Sequence, residues 1–146
     1  RDPMAMLPFC GYNMADYFQH WLEMGKKMTK PSKIFHVNWF RTDSQGKFFW
    51  PGFGENLRIL EWILDRCNNK VEAVKTSIGY IPRASDIDMT GIELPPCTLE
   101  KLLAIDKKEW LGELKGIKTF FKQFKKDLPP ELWQEYEDLK NRLEHD

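Results

Sequence analysis

Cysteine is scarce in this sequence, and no two cysteines stand at metal-binding spacing. The three, Cys10, Cys67 and Cys97, include no C-x-x-C pair, which excludes a zinc knuckle. An odd number in a chain of this length also argues against a disulfide framework, so three reduced thiols in a cytoplasmic protein are expected. Net charge is absent as well. Lys plus Arg is 22 and Asp plus Glu is 22, which removes the electrostatic footprint of a nucleic-acid binder. No apolar run approaches the roughly 18 residues of a membrane span. Arg1-Asp2-Pro3-Met4-Ala5-Met6 has no basic region followed by an apolar core, so it does not read as a signal peptide, and the charged C-terminus carries no lipidation box. No G-x-x-x-x-G-K-S/T loop occurs, and no Ser-His-Asp or Cys-His arrangement is visible.

What remains is an ordinary globular composition with one excess. The 146 residues are 42% hydrophobic and 30% charged, about one domain's worth. A chain of that size can bury roughly 70% of its unfolded surface. The excess is aromatic: 10 Phe, 6 Trp and 4 Tyr. The chain opens at Arg1 without an initiator Met, which reads as a processed chain or a piece of a longer one.

The pattern predicts a mixed α+β fragment. Asn13 caps a helix whose apolar positions are Met14, Phe18, Trp21 and Leu22, with Gly25 as its stop. Residues 34–40 and 47–50 are β-branched and aromatic and bracket the turn cluster Thr42-Asp43-Ser44-Gln45-Gly46, so 34–50 reads as a β-hairpin. Asn56 stands at a helix N-cap position ahead of Leu57, Ile59, Leu60, Ile63 and Leu64, and Asn68-Asn69 ends that helix. Residues 71–97 read as irregular, with a short strand at 78–81. Three helices follow: one around Leu99, Leu102 and Leu103, a second opened by Asp106-x-x-Glu109 and a third begun at Pro129-Pro130. The expected division is 1–97 and 98–146. Trp21, Trp62, Trp110 and Phe121 are assigned to the core.

Eight of the 28 residues from 35 to 62 are aromatic: Phe35, Trp39, Phe40, Phe48, Phe49, Trp50, Phe53 and Trp62. Alternation puts rings on both faces of the hairpin, and Phe53 lies between Gly52 and Gly54, where a ligand could approach the backbone. Two readings stay open. The rings are a core packed against helices, or they are a platform for a flat ligand such as a base. His20 and His36 lack acidic partners at metal-site spacing and read as structural, while His145 reads as solvated. Asp86, Asp88 and Glu93 read as solvated loop acids. Lys115, Lys118, Lys122, Lys125 and Lys126 read as a solvated helix face.

Several segments together resemble a known family. Asp2-Pro3-Met4-Ala5-Met6, Pro8-Phe9-Cys10-Gly11-Tyr12-Asn13 and His20-Trp21 resemble the C-terminal region of GTP-dependent phosphoenolpyruvate carboxykinase. The agreement is most specific at Phe35-His36-Val37-Asn38-Trp39-Phe40, at Phe48-Phe49-Trp50-Pro51-Gly52-Phe53-Gly54-Glu55-Asn56 and at Arg58-Ile59-Leu60-Glu61-Trp62. Beyond about residue 83 it becomes a general pattern of helices. Leu7 stands where some members carry Arg, and Cys10 where many carry a bulkier residue.

The resemblance implies part of a larger α/β enzyme's nucleotide-binding domain. That enzyme converts oxaloacetate and GTP to phosphoenolpyruvate, carbon dioxide and GDP in gluconeogenesis, with Mn²⁺ at its centre and Mg²⁺ on the nucleotide. Carried over residue by residue, Phe40 and Phe53 stack on the two faces of guanine and Phe48 packs on its edge. Asn56 hydrogen-bonds the base edge, the backbone of Phe53, Gly54, Glu55 and Asn56 lies close by, and Trp39 supports the slot. The family's phosphate loop ending Gly-Lys-Thr-Asn, its Lys, His and Asp metal ligands, its substrate arginines and its lid are expected upstream of Arg1. The expected picture is a catalytically incomplete fragment of a cytoplasmic, monomeric parent, whose partners are GTP or GDP and the rest of the parent chain. The alternative is a stand-alone aromatic module that binds a nucleotide or a Pro-rich peptide without catalysis.

Overall fold

The computed structural model describes residues 5–145; Asp2, Pro3 and Met4 of the first motif lie outside them. Five α-helices and one small sheet follow in order: α1 Met14–Lys27, α2 Asn56–Cys67, β1 Val74–Thr76, β2 Gly79–Ile81, α3 Thr98–Leu103, α4 Lys107–Lys122 and α5 Pro130–His145. The fold is thus mixed α+β. It divides into two compact units, one made of residues 5–32 with 106–145 and the other Lys33–Ile105.

The first unit is helical. Asn13 Oδ1 accepts from the Ala15 N–H at 3.0 Å and caps α1, and Asp106 caps α4 by accepting from the Glu109 N–H at 3.0 Å. These are two of the three expected caps, and they satisfy N–H groups that have no partner inside the helix. Met14, Phe18 and Leu128 form a buried cluster with Phe120, Phe121, Phe124, Leu132 and Trp133 packed around it. Phe18 meets Phe124 edge to face at 5.7 Å, and Phe121 meets Trp133 at 5.5 Å. Each such pair contributes about 0.5–1.5 kcal/mol beyond its area. Two expectations fail here. Helix α1 runs past Gly25 to Lys27, because Gly25 is not in the left-handed conformation that ends a helix. Trp21 is 38% exposed and not core; it stands outside the cluster, its ring edge against Tyr17.

The second unit holds the sheet and the aromatic segment. β1 and β2 pair antiparallel with Val74 opposite Ile81, Lys75 opposite Tyr80 and Thr76 opposite Gly79. The expected hairpin at 34–50 is a reversal with a single bridge, Thr42 opposite Phe48, in place of two strands. Local side chains account for this. Asn38 Oδ1 accepts the Phe40 N–H at 3.0 Å, and Asp43 Oδ1 accepts the Gln45 and Lys47 N–H groups at 2.8 and 3.0 Å. Phe40 and Lys47 fall in the expected strands, so these bonds compete there with a ladder, while the Gln45 bond tightens the turn. Trp50, Trp62 and Ile87 are buried in this unit, and Phe35 meets Trp62 edge to face at 6.2 Å.

Among the described residues no helix is long and apolar enough to cross a membrane. The three cysteines are free thiols.

Candidate functional site: an exposed aromatic loop

Residues 38–56 fold so that some aromatic rings are anchored and others are left in solvent. The turn is closed by the Asp43 N–H donating to the Lys47 carbonyl at 2.9 Å and the Phe49 N–H to the Arg41 carbonyl at 3.0 Å. Arg41 ties it to α3, donating through Nη1 to the carbonyls of Leu102 and Ala104, both at 2.9 Å. Trp50 is buried, and the half-buried Trp39 ring lies 5.7 Å from it. Phe40 and Phe48 project outward with ring centres 6.1 Å apart. They are 73% and 56% exposed, and Phe53 is 90% exposed. Among the described residues Phe53 pairs with no other ring.

The approach to Phe53 depends on Gly52, whose φ of 138° is a conformation that side chains rarely adopt. A Cβ there would meet nothing within 4 Å, so conformation and not space makes the position glycine. Phe53, Gly54 and Glu55 form one tight turn leading into α2. Glu55 accepts from Arg58 Nε at 2.6 Å, and the other guanidinium nitrogens of Arg58 donate to the carbonyls of Asp88 at 2.7 Å and Thr90 at 2.9 Å. The Glu55 carboxylate is therefore committed to Arg58. Asp88 is held below the usual carboxylate range by the Thr90 hydroxyl first, then by the Thr90 N–H and the charge of Arg58.

Asn56 is the first residue of α2 and not its cap. Its Oδ1 accepts the Trp50 indole N–H at 2.8 Å. The expectation of a side-chain cap fails because that oxygen is already taken. Of the predicted site residues, the structure joins Trp39 to Trp50, Trp50 to Asn56 and Phe40 to Phe48, and leaves Phe53 apart. Sequence reasoning missed Arg41, Arg58 and the Trp50–Asn56 bond. Only Arg58 carried a local signal, as the i+3 partner of Glu55.

Two open concavities lie elsewhere, one lined by Lys115, Gly116, Thr119, Phe120 and Gln123 and one within residues 84–100. The aromatic loop is a surface platform instead. Rings left in solvent on a tied-down loop suit stacking on a flat ligand. Among the described residues no group of three or more His, Cys, Asp or Glu could hold a metal ion. These residues do not fit a Mn²⁺ or Mg²⁺ site by themselves.

A family model described as the phosphoenolpyruvate carboxykinase C-terminal P-loop domain matches residues 1–142. This chain belongs to the phosphoenolpyruvate carboxykinase family. Proteins named phosphoenolpyruvate carboxykinase (GTP) are similar along almost its full length. The one from Neocallimastix frontalis is 47% identical over 145 residues, covering 97% of this chain and 24% of its own. The one from Corynebacterium kroppenstedtii is 46% identical over 143 residues, covering 97% and 23%. The one from Thermoplasma volcanium is 45% identical over 143 residues, covering 98% and 24%. The chain thus spans about a quarter of the length of the curated carboxykinases it matches. Within the carboxykinase family, then, the aromatic loop belongs to a segment matched in full.

Proposed function

We propose that this chain is the C-terminal part of a GTP-dependent phosphoenolpyruvate carboxykinase and supplies the guanine-binding wall of its nucleotide site. The parent converts oxaloacetate and GTP to phosphoenolpyruvate, carbon dioxide and GDP in gluconeogenesis, as a cytoplasmic monomer. The Mn²⁺ and Mg²⁺ ligands belong to the rest of the parent chain, and residues 1–97 and 98–146 are two segments of one nucleotide-binding domain. Alone, the 146 residues are inactive.

The observation that carries this reading is the exposure of Phe40, Phe48 and Phe53 on a loop whose neighbours Trp39, Arg41 and Trp50 are fixed. Phe40 and Phe53 stack on guanine, Phe48 packs on its edge, and Asn56 bonds the edge beside the Phe53-Gly54-Glu55 backbone. Stacking is worth about 1–3 kcal/mol per base. It does not choose among bases, since each has a π face; polar groups on the edge do that.

The rest of the parent chain also covers an apolar stripe on α2. Leu57, Leu60 and Leu64 are exposed, while Trp62 on the opposite side is buried. Apolar residues thus stand on two sides of a helix that also carries Arg58, Glu61, Asp65 and Arg66, and three exposed leucines in one stripe fit a face covered inside a larger protein; the relatives are about four times longer than this chain.

The deciding experiment uses the full-length enzyme. Phe40→Ala raises KM for GTP well above any change in KM for oxaloacetate. Equal effects on the two substrates would refute the stacking role. Micromolar GTP binding by the 146-residue chain alone, read by Trp fluorescence, would favour a stand-alone module.

A further inference from the structure

The bond between Trp50 and Asn56 has a chemical asymmetry. An indole nitrogen donates and cannot accept. The Asn56 atom facing it at 2.8 Å is therefore the carbonyl Oδ1, and the amide is fixed in one of its two flips. The Asn56 atom left for a ligand is the donor, Nδ2. Both partners are held. Trp50 is 6% exposed with the Trp39 ring against it, and the Asn56 N–H donates to the Phe53 carbonyl as the chain enters α2.

We infer that Trp50 is a positioning residue that sets nucleotide choice by locking the Asn56 amide with its donor toward the base. This rests on the reading that Asn56 meets the base edge. At the position where guanine carries the O6 acceptor, adenine carries an amino donor. A locked Nδ2 donor pairs with guanine and opposes adenine, and an unpaired donor is what rejects the wrong ligand. Hypoxanthine also carries an oxygen there, so this device does not separate GTP from ITP.

The test uses the full-length enzyme with GTP, ITP and ATP. Trp50→Phe keeps a ring against Trp39 but removes the N–H, which frees the amide to turn and offer Oδ1 to adenine. The expected result is at least a tenfold fall in the GTP-to-ATP ratio of kcat/KM, part of it a gain for ATP, with the GTP-to-ITP ratio unchanged. A uniform loss on all three nucleotides marks a merely structural role and overturns the inference, as does no change. Asn56→Asp serves where Trp50→Phe does not fold. It still accepts from Trp50 but has no donor, so kcat/KM falls at least tenfold for GTP and ITP; an unaltered value for GTP overturns the inference. Asn56→Ala separates the two claims. If it leaves KM for GTP unaltered, the base-edge reading fails; if it raises KM while Trp50→Phe leaves the ratio intact, only the role of Trp50 fails.

Discussion

Arg41 and Leu102, 61 residues apart in sequence, are joined by a guanidinium–carbonyl hydrogen bond of 2.9 Å. The same nitrogen reaches the Ala104 carbonyl at 2.9 Å, so one side chain satisfies two carbonyls at the end of α3 and fixes the turn that follows Phe40. Hydrogen bonds to charged groups contribute about 1.5–3 kcal/mol when shielded and less when part-exposed. Arg41→Met is expected to lower stability by about 1–2 kcal/mol and to raise KM for GTP in the full-length enzyme with little effect on KM for oxaloacetate. Denaturant unfolding and steady-state kinetics check the two halves. Unchanged KM for GTP would detach the turn from the nucleotide site.

Phe53→Ala makes the opposite pairing of effects. At 90% exposure the ring supports little of the fold, so the melting temperature should stay within a degree or so of wild type. Loss of one stacking face at about 1–3 kcal/mol predicts a rise of about 5- to 150-fold in KM for GTP. A large fall in melting temperature would show that the ring packs against protein instead of ligand.

The α2 stripe makes a third prediction, read by thiol labelling and peptide mass spectrometry. Leu64→Cys is expected to react readily with a polar maleimide in the 146-residue chain, where position 64 is 62% exposed. In the native full-length protein it should be protected until denaturant is added. Burying a leucine is worth about 1.5–3 kcal/mol, so three of them make a strong contact. Equal labelling in both proteins would show that nothing covers the stripe.

The Lys26–Glu131 pair, 2.8 Å apart, sets a pH dependence. The hydrogen bond from Lys26 holds the Glu131 carboxyl below its ordinary 4.5, and the bond to Glu131 raises Lys26 above its ordinary 10.5. A lowered carboxylate stabilises the fold above its unfolded value and loses that contribution as pH falls through the folded value. A raised ammonium stabilises below its unfolded value and loses that contribution as pH rises through the folded one. The pair is well exposed, so the effect is small. Lys26→Met should show a modest loss of stability between those limits that shrinks at both extremes. A deficit that persists unchanged at pH 3 would place its cause elsewhere.

The helices were legible because their signals are local. Asn13 and Asp106 stand where caps belong, and Pro129-Pro130 opens α5. Of the β structure only the strand expected at 78–81 was legible, and it is β2, Gly79–Ile81. The run from Ile34 to Phe40 has strand propensity, but Asn38 and Asp43 supply their own hydrogen bonds and leave a single bridge. β1 was read as irregular because its turn residues, Ser77 and Ile78, carry no turn signature, and the glycine comes one position later, at Gly79. At the site, the residue types and their spacing were readable. Which end of Asn56 is free was not, because that depends on a donor six residues earlier brought back by the loop.

The division of the chain has a consequence for its synthesis. The Lys33–Ile105 unit is inserted between the two parts of the other, and the partners of Phe18, namely Phe120, Phe124 and Leu128, are encoded some hundred residues after it. At about 5–20 residues per second, these three partners leave the ribosome about 5–20 s after α1 does. The Lys33–Ile105 unit is synthesised within that interval, so its last residue is added before the rings of α4 that close over Phe18 exist.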